Sequence, residues 1–210
     1  VIFKGGDREN RIYLIIAVII ISVIVITVFF SSNTLFKAFI EDETLGDDWY
    51  EDITERKENS QLFGLENLAS FTYRNNNESY PAYVTVTSIK LLLMMNENDL
   101  LDKTEETLNK ASEQGIVIDI ESRVSGEREI SKGHKSKYII YDGNDSTKEP
   151  FEKIKIIGET WNCGDSGTSI ICIGVAQITN HDFNNSNLDT TYWEKIVDMQ
   201  DGLIYNVKCN

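Results

Sequence analysis

Proline is almost missing from this chain, two in 210 residues, which excludes a collagen-like or proline-rich stalk. Histidine is equally scarce, His134 and His181 only, and the three cysteines show no Cys-x-x-Cys spacing. The residues therefore carry no zinc-ligand pattern, and no metal site is expected. Neither the dinucleotide fingerprint nor the P-loop string occurs, so no cofactor is expected either. Basic side chains are outnumbered, 20 Lys and Arg against 34 Asp and Glu, for a net charge of −14. Residues 1–37 hold four basic and two acidic groups, which leaves −16 for the remainder. Nucleic acid and anionic lipid surfaces both need a basic footprint, so neither fits as a partner.

Against these absences stands one long apolar run. Ile12–Phe30 is nineteen residues without a charge, and an α-helix needs about 20 apolar residues to cross a hydrocarbon core about 30 Å thick. Ser22 and Thr27 can return their hydrogen bonds to a helix backbone, and Tyr13 sits where an interfacial aromatic belongs. No amphipathic face can be drawn on the segment, which argues against a buried core helix. A cleaved signal peptide has an apolar region of only 7–15 residues. The Lys4-Gly5-Gly6 start resembles a prepilin leader, but the charges from Asp7 to Arg11 intervene. The run is read as an uncleaved transmembrane signal anchor, with the lipid bilayer as its partner.

Lys4, Arg8 and Arg11 precede the run, whereas Lys37 alone follows it before a cluster of carboxylates from Glu41 to Asp52. The positive-inside bias then keeps residues 1–11 in the cytoplasm and puts the rest outside the cell membrane. The expected organisation is a short tail over 1–11, an anchor over 12–30, an acidic stalk over 31–60 and an extracytoplasmic domain over 61–210.

Within that domain, Leu62 to Phe71 reads as a short helix or irregular packing segment, and Asn75 to Pro81 as a break. Ala82–Ile89 is rich in Val, Thr and Tyr and predicts a strand. From Asn98 to Gln114 runs the best soluble helix, capped by Asn96 or Asn98, with Leu100, Leu101, Thr104, Leu108 and Ala111 on one face and Gly115 at its stop. The period switches to two at Ile116, Ile118 and Ile120. Ser125-Gly126, Lys132-Gly133 and Asp142–Asp145 read as turns, the last lacking the offsets of a calcium loop. Tyr138–Tyr141 and Lys153–Trp161 predict further strands. Ser169–Ile178, nearly all apolar, predicts a central strand covered on both faces. Asp189 or Thr190 caps a short helix, and Leu203–Val207 predicts a last strand. The expected fold class is α+β: an N-terminal transmembrane helix, then a mainly antiparallel sheet of five or six strands with two or three helices.

Chemistry candidates are few. Cys163-Gly164-Asp165-Ser166-Gly167 resembles the nucleophile segment of trypsin-like proteases, yet the match ends at Thr168. His134 lies too close upstream for the intervening half of such a barrel. Gly, Asp and Ser are also what a hairpin loop uses for its own geometry. His134 reads as a solvated turn residue, and His181 has only Asp182 beside it. Cys163, Cys172 and Cys209 are disulfide candidates, with a bridge from Cys163 or Cys172 to Cys209 preferred. Asn77, Asn144 and Asn184 head glycosylation sequons in expected loops.

Lys155–Cys163 and Ser166–Gly174, with the Tyr80-Pro81 strand, the Lys103-Thr-Glu helix and the Gly133-His134 turn, resemble a group of uncharacterised archaeal single-pass membrane-anchored surface proteins. The resemblance spans about residues 80–209. It implies an archaeal surface location and no activity.

The expected function is a membrane-anchored extracytoplasmic binding or assembly module of the cell envelope, without catalytic activity, meeting an envelope or membrane-complex protein. The alternatives are an accessory or sensory subunit of a membrane complex, and an extracytoplasmic hydrolase using Ser166 with His134 or His181 as base.

Overall fold

The apolar stretch near Ser169–Ile178 lies at the middle of an eight-stranded antiparallel sheet, where neither face meets water. This is a computed structural model, and it describes residues 35, 37–61, 66–91, 95–110, 115–164, 167–182 and 185–209. Its elements in chain order are β1 (Ala38–Phe39), α1 (Asp42–Leu45), β2 (Trp49–Glu51), β3 (Lys57–Gln61), β4 (Glu66–Asn75), β5 (Ala82–Leu91), α2 (Glu97–Lys110), β6 (Ile116–Ile130), β7 (His134–Asp145), β8 (Glu152–Cys163), β9 (Thr168–Gln177), β10 (Thr179–Asp182), β11 (Asn185–Leu188), α3 (Thr191–Val197) and β12 (Lys208–Cys209). The main sheet runs β2-β4-β5-β9-β8-β7-β6, and β3 pairs with β4 beside β2. The pairs β1–β12 and β10–β11 stand apart from it.

Each face of the sheet has its own core. On one, α2 buries Leu100, Thr104 and Leu108, spaced four apart, and Leu108 packs with Ile139, Ile154, Ile156 and Val175. Asn96 caps that helix: its Oδ1 accepts the backbone N–H groups of Asn98 and Asp99, both at 3.0 Å. On the other face, α3 and the turns after it bring Trp193, Ile196, Leu203, Ile204 and Val207 onto Val84, Ile157, Ile170 and Cys172. The N-terminal segment adds Ala38, Ile40, Leu45 and Trp49 to that second face. Glycine sets the approach of both helices. A Cβ on Gly158 would stand 2.5 Å from the Thr104 methyl of α2, and one on Gly174 would stand 2.7 Å from Ile196 of α3.

These observations correct the expected fold class. Strands dominate the described chain, and the main sheet has eight of them rather than five or six. No helix among the described residues is long and apolar enough to cross a membrane. The expected transmembrane helix over Ile12–Phe30 lies outside the described residues. The acidic stretch read as a stalk is folded from Leu35 onward: β1 pairs with β12, and β2 and β3 both pair with β4. Its strands are two to five residues long, too short for an apolar period to show.

Four local expectations also change. Leu62–Phe71, expected as a short helix or irregular segment, is strand from Glu66 onward, paired on both sides as part of β4. Ser125-Gly126 is no turn but the middle of β6, where Gly126 faces Tyr138 and a Cβ would stand 2.6 Å from the phenol oxygen. The bare backbone leaves room for the ring. Asp142–Asp145 stays in β7, because β6 and β8 pair with it on both sides and their ladders override its turn composition. Leu203–Val207 folds as turns tied to α3 through Leu203 N–H to Lys195 O at 2.9 Å and Ile204 N–H to Ile196 O at 3.3 Å. The Lys132-Gly133 turn forms where expected, with φ of 65° and 77°.

Candidate functional site

The second face, the one that α3 covers, carries polar and sulfur chemistry at three places. The first is a cleft of about 630 Å³ at the N-terminal edge of the sheet. Alternation along β4 points Phe71 and Tyr73 into it, Phe39 and Ile40 wall it, and Lys37, Glu51 and Arg56 rim it. The Arg56 guanidinium donates two hydrogen bonds to the Glu51 carboxylate, each 2.9 Å, and lies 5.1 Å from the centre of the Phe71 ring. That stack fixes a flat cation over an aromatic at the mouth. Tyr73 is buried, and its hydroxyl accepts the Ile40 N–H at 2.9 Å. Burial pushes its phenol up to about 12; the Ile40 hydrogen bond opposes the rise and the Glu51 charge adds to it.

The second place is a buried ion pair. Arg128 on β6 grips Glu159 on β8 with two nitrogens, Nε–H to Oε1 at 2.7 Å being one contact. Glu159 is fully buried and Arg128 nearly so. The remaining capacity is satisfied: Ser136 donates to Glu159 at 2.5 Å, and Arg128 donates to the Val197 carbonyl at 2.6 Å. Arg128 thereby holds the C-terminal end of α3. Opposite Glu159 on β9 stands the buried free thiol of Cys172. Burial, with the Glu159 charge second, holds that thiol well above its ordinary value, so it stays protonated.

At the third place the sulfurs of Cys163 and Cys209 stand at disulfide distance, with their Cα atoms 6.3 Å apart. Cys163 ends β8 and Cys209 ends β12, so the bridge ties the C-terminal strand to the sheet. His134, first residue of β7, joins them: an imidazole nitrogen and the two sulfurs all lie within 4.8 Å of one another. Both residues that deliver this histidine, Lys132 and Gly133, adopt positive φ.

Of the sequence candidates, then, His134, Cys163 and Cys209 come together and Cys172 does not join them. Ser166 and Asn184 lie outside the described residues. His181 sits on β10, paired with Ser186 of β11. Asn77 is in the β4–β5 turn, where its Oδ1 accepts from Ser79 and Tyr80 N–H at 2.9 and 3.3 Å. Asn144, expected in a loop, is paired in β7 with Val117 and Lys153. Arg56, Phe71, Tyr73, Arg128 and Glu159 escaped the sequence reading. Each acquires its role from cross-strand register, and no spacing in the chain announces that. Comparison with protein-family models and with curated proteins finds no match to this chain.

Proposed function

We propose that the chain is a binding module of the cell envelope, displayed outside the membrane and held there by the apolar run of residues 12–30. The observation that carries the exported location is the Cys163–Cys209 pair at disulfide distance. Such bridges persist in oxidising compartments and are rare in reducing ones. The net charge of −16 beyond residue 37 suits a domain that must stay dispersed outside a cell.

Binding is assigned to the cleft over Phe71 and Tyr73. Its floor is aromatic, its rim carries both signs of charge, and it suits a partner that presents an apolar side chain beside a charged group. The same geometry argues for recognition rather than proton transfer. Glu51 is committed to Arg56, and Tyr73 keeps its proton at neutral pH.

Two measurements test this. A membrane-impermeant phosphine applied to intact cells should open the bridge and change mobility on a non-reducing gel. Thiols already free before treatment, or a bridge that opens only after lysis, would contradict the exported location. Full-length protein in detergent should retain an envelope component that Phe71→Ala or Arg56→Glu loses by about tenfold or more. Equal retention by the variants would remove the cleft from the account.

A further inference from the structure

The cysteine pair has a third member that a disulfide does not need. His134, Cys163 and Cys209 come from three distant stretches of chain, yet their ligand-type atoms lie within 4.8 Å of one another. From this we infer that, once the bridge is reduced, the three side chains form a Cys₂His site for a borderline-soft divalent cation of the zinc type. Thiolate sulfur and neutral imidazole nitrogen are the donors such a cation takes, at about 2.3 Å and about 2.0–2.1 Å. Those lengths put ligand atoms roughly 3.5–3.8 Å apart around a tetrahedral ion. Reduction frees the sulfurs to part to that spacing, and the imidazole already lies within 4.8 Å of both.

Backbone pairing keeps the three ligands together when the covalent bond is gone. His134 is opposite Ile130 in the β6–β7 hairpin, Cys163 is opposite Thr168 at the mouth of the β8–β9 hairpin, and Cys209 is opposite Ala38 in β1–β12. The first two positions belong to long ladders of the main sheet. Ser131 N–H to the Tyr205 carbonyl, 3.0 Å, ties the β6–β7 turn to the C-terminal segment beside them. A site whose ligands sit on paired strands loses little order on binding. Three protein ligands leave the fourth tetrahedral position to solvent.

The chemistry balances. A small dithiol supplies two electrons and two protons to the Sγ–Sγ bond and closes into its own disulfide, leaving Cys163 and Cys209 as thiols. The cation then displaces both thiol protons to solvent and takes the two thiolates. Covalent bridge and bound cation are thus alternative staples for one strand. The inference holds whichever side of a membrane the domain occupies, so its failure would leave the proposed function standing.

The test uses full-length protein in detergent, reduced anaerobically with a phosphine that does not compete for metal, and titrated with Co²⁺. The expected result is one equivalent per chain with a thiolate-to-cobalt charge-transfer band, displaced by Zn²⁺ and missing from the oxidised protein. Cys172→Ser should change neither the band nor the affinity. His134→Ala should weaken binding at least about tenfold, while its oxidised form keeps the circular dichroism of the parent. No charge-transfer band in the reduced protein, undiminished affinity in His134→Ala, or loss of the band in Cys172→Ser would each overturn the inference.

Discussion

The two faces of the sheet solve the same packing problem with different means. The first is covered by α2, a fourteen-residue helix between β5 and β6 whose buried residues are Leu100, Thr104 and Leu108. Apolar contact, one glycine saddle at Gly158 and a few polar ties from α2, Glu105 to Tyr141 and Arg123 and Asn98 to Lys137, hold it there. The second is covered by short pieces from far apart in the chain, residues 38–45 and 191–209. Short segments bury little surface each and lose much conformational freedom on docking. They are accordingly fastened: Cys163–Cys209 by sulfur, Arg128 to the Val197 carbonyl, Ile40 N–H to the Tyr73 hydroxyl, and Lys208 to Glu41 at 3.3 Å. The fastened face is also the one with the cleft and the His134 cluster. A face assembled from separate short segments leaves seams, and the cleft over Phe71 and Tyr73 is one of them.

The comparison breaks most severely at Arg128. Replacing it with Met strands a buried carboxylate at Glu159, and urea unfolding should show a loss of about 3–5 kcal/mol. The Arg128→Met/Glu159→Met double variant should recover most of that, because the stranded charge is gone. Next comes Cys209→Ser, expected to cost about 2–4 kcal/mol in thermal unfolding. The upper end, about 4 kcal/mol, is what loop closure gives for the 46-residue separation of the paired cysteines.

A third effect is alkaline. The folded Tyr73 phenol titrates at about 12 against 10.0 unfolded. Because the folded value is raised, the stabilisation is complete below pH 10 and is lost as pH climbs through 12. The shift corresponds to roughly 2–3 kcal/mol. Tyr73→Phe should flatten that part of the stability–pH curve.

Gly158→Ala and Gly174→Ala sharpen the comparison, since each overpacks one helix on one face; both should cost about 1–2 kcal/mol by chemical denaturation. The smallest effect belongs to the α2 face. The Tyr141 hydroxyl and the Arg123 guanidinium hold the Glu105 carboxyl below its usual 4.5. A depressed carboxyl stabilises above its unfolded value and ceases to as pH falls, so Glu105→Gln should remove less than about 1 kcal/mol of acid sensitivity.

What the sequence showed follows from the range of the forces involved. β9 was legible because ten nearly apolar residues have no other place than the centre of a sheet. The helix capped by Asn96 and the turn at Lys132-Gly133 were legible because capping and positive φ are local chemistry. β2 and β3 were not, since strands of three and five residues owe their conformation to β4. Asp142–Asp145 reads as a turn by composition and is a strand by its neighbours. The cysteines announced themselves, but the approach of His134 to them depends on where the β6–β7 hairpin ends relative to β8. Arg128 and Glu159 look like ordinary surface charges until register places them across a core.

The most direct test is hydrogen exchange on full-length protein, oxidised and then reduced in the presence of a chelator. Reduction should raise exchange in residues 191–209 and 38–45 while 97–110 keeps its protection. Equal loosening of residues 97–110, or no change at the C-terminal segment, would contradict the claim that one face is stapled and the other holds itself.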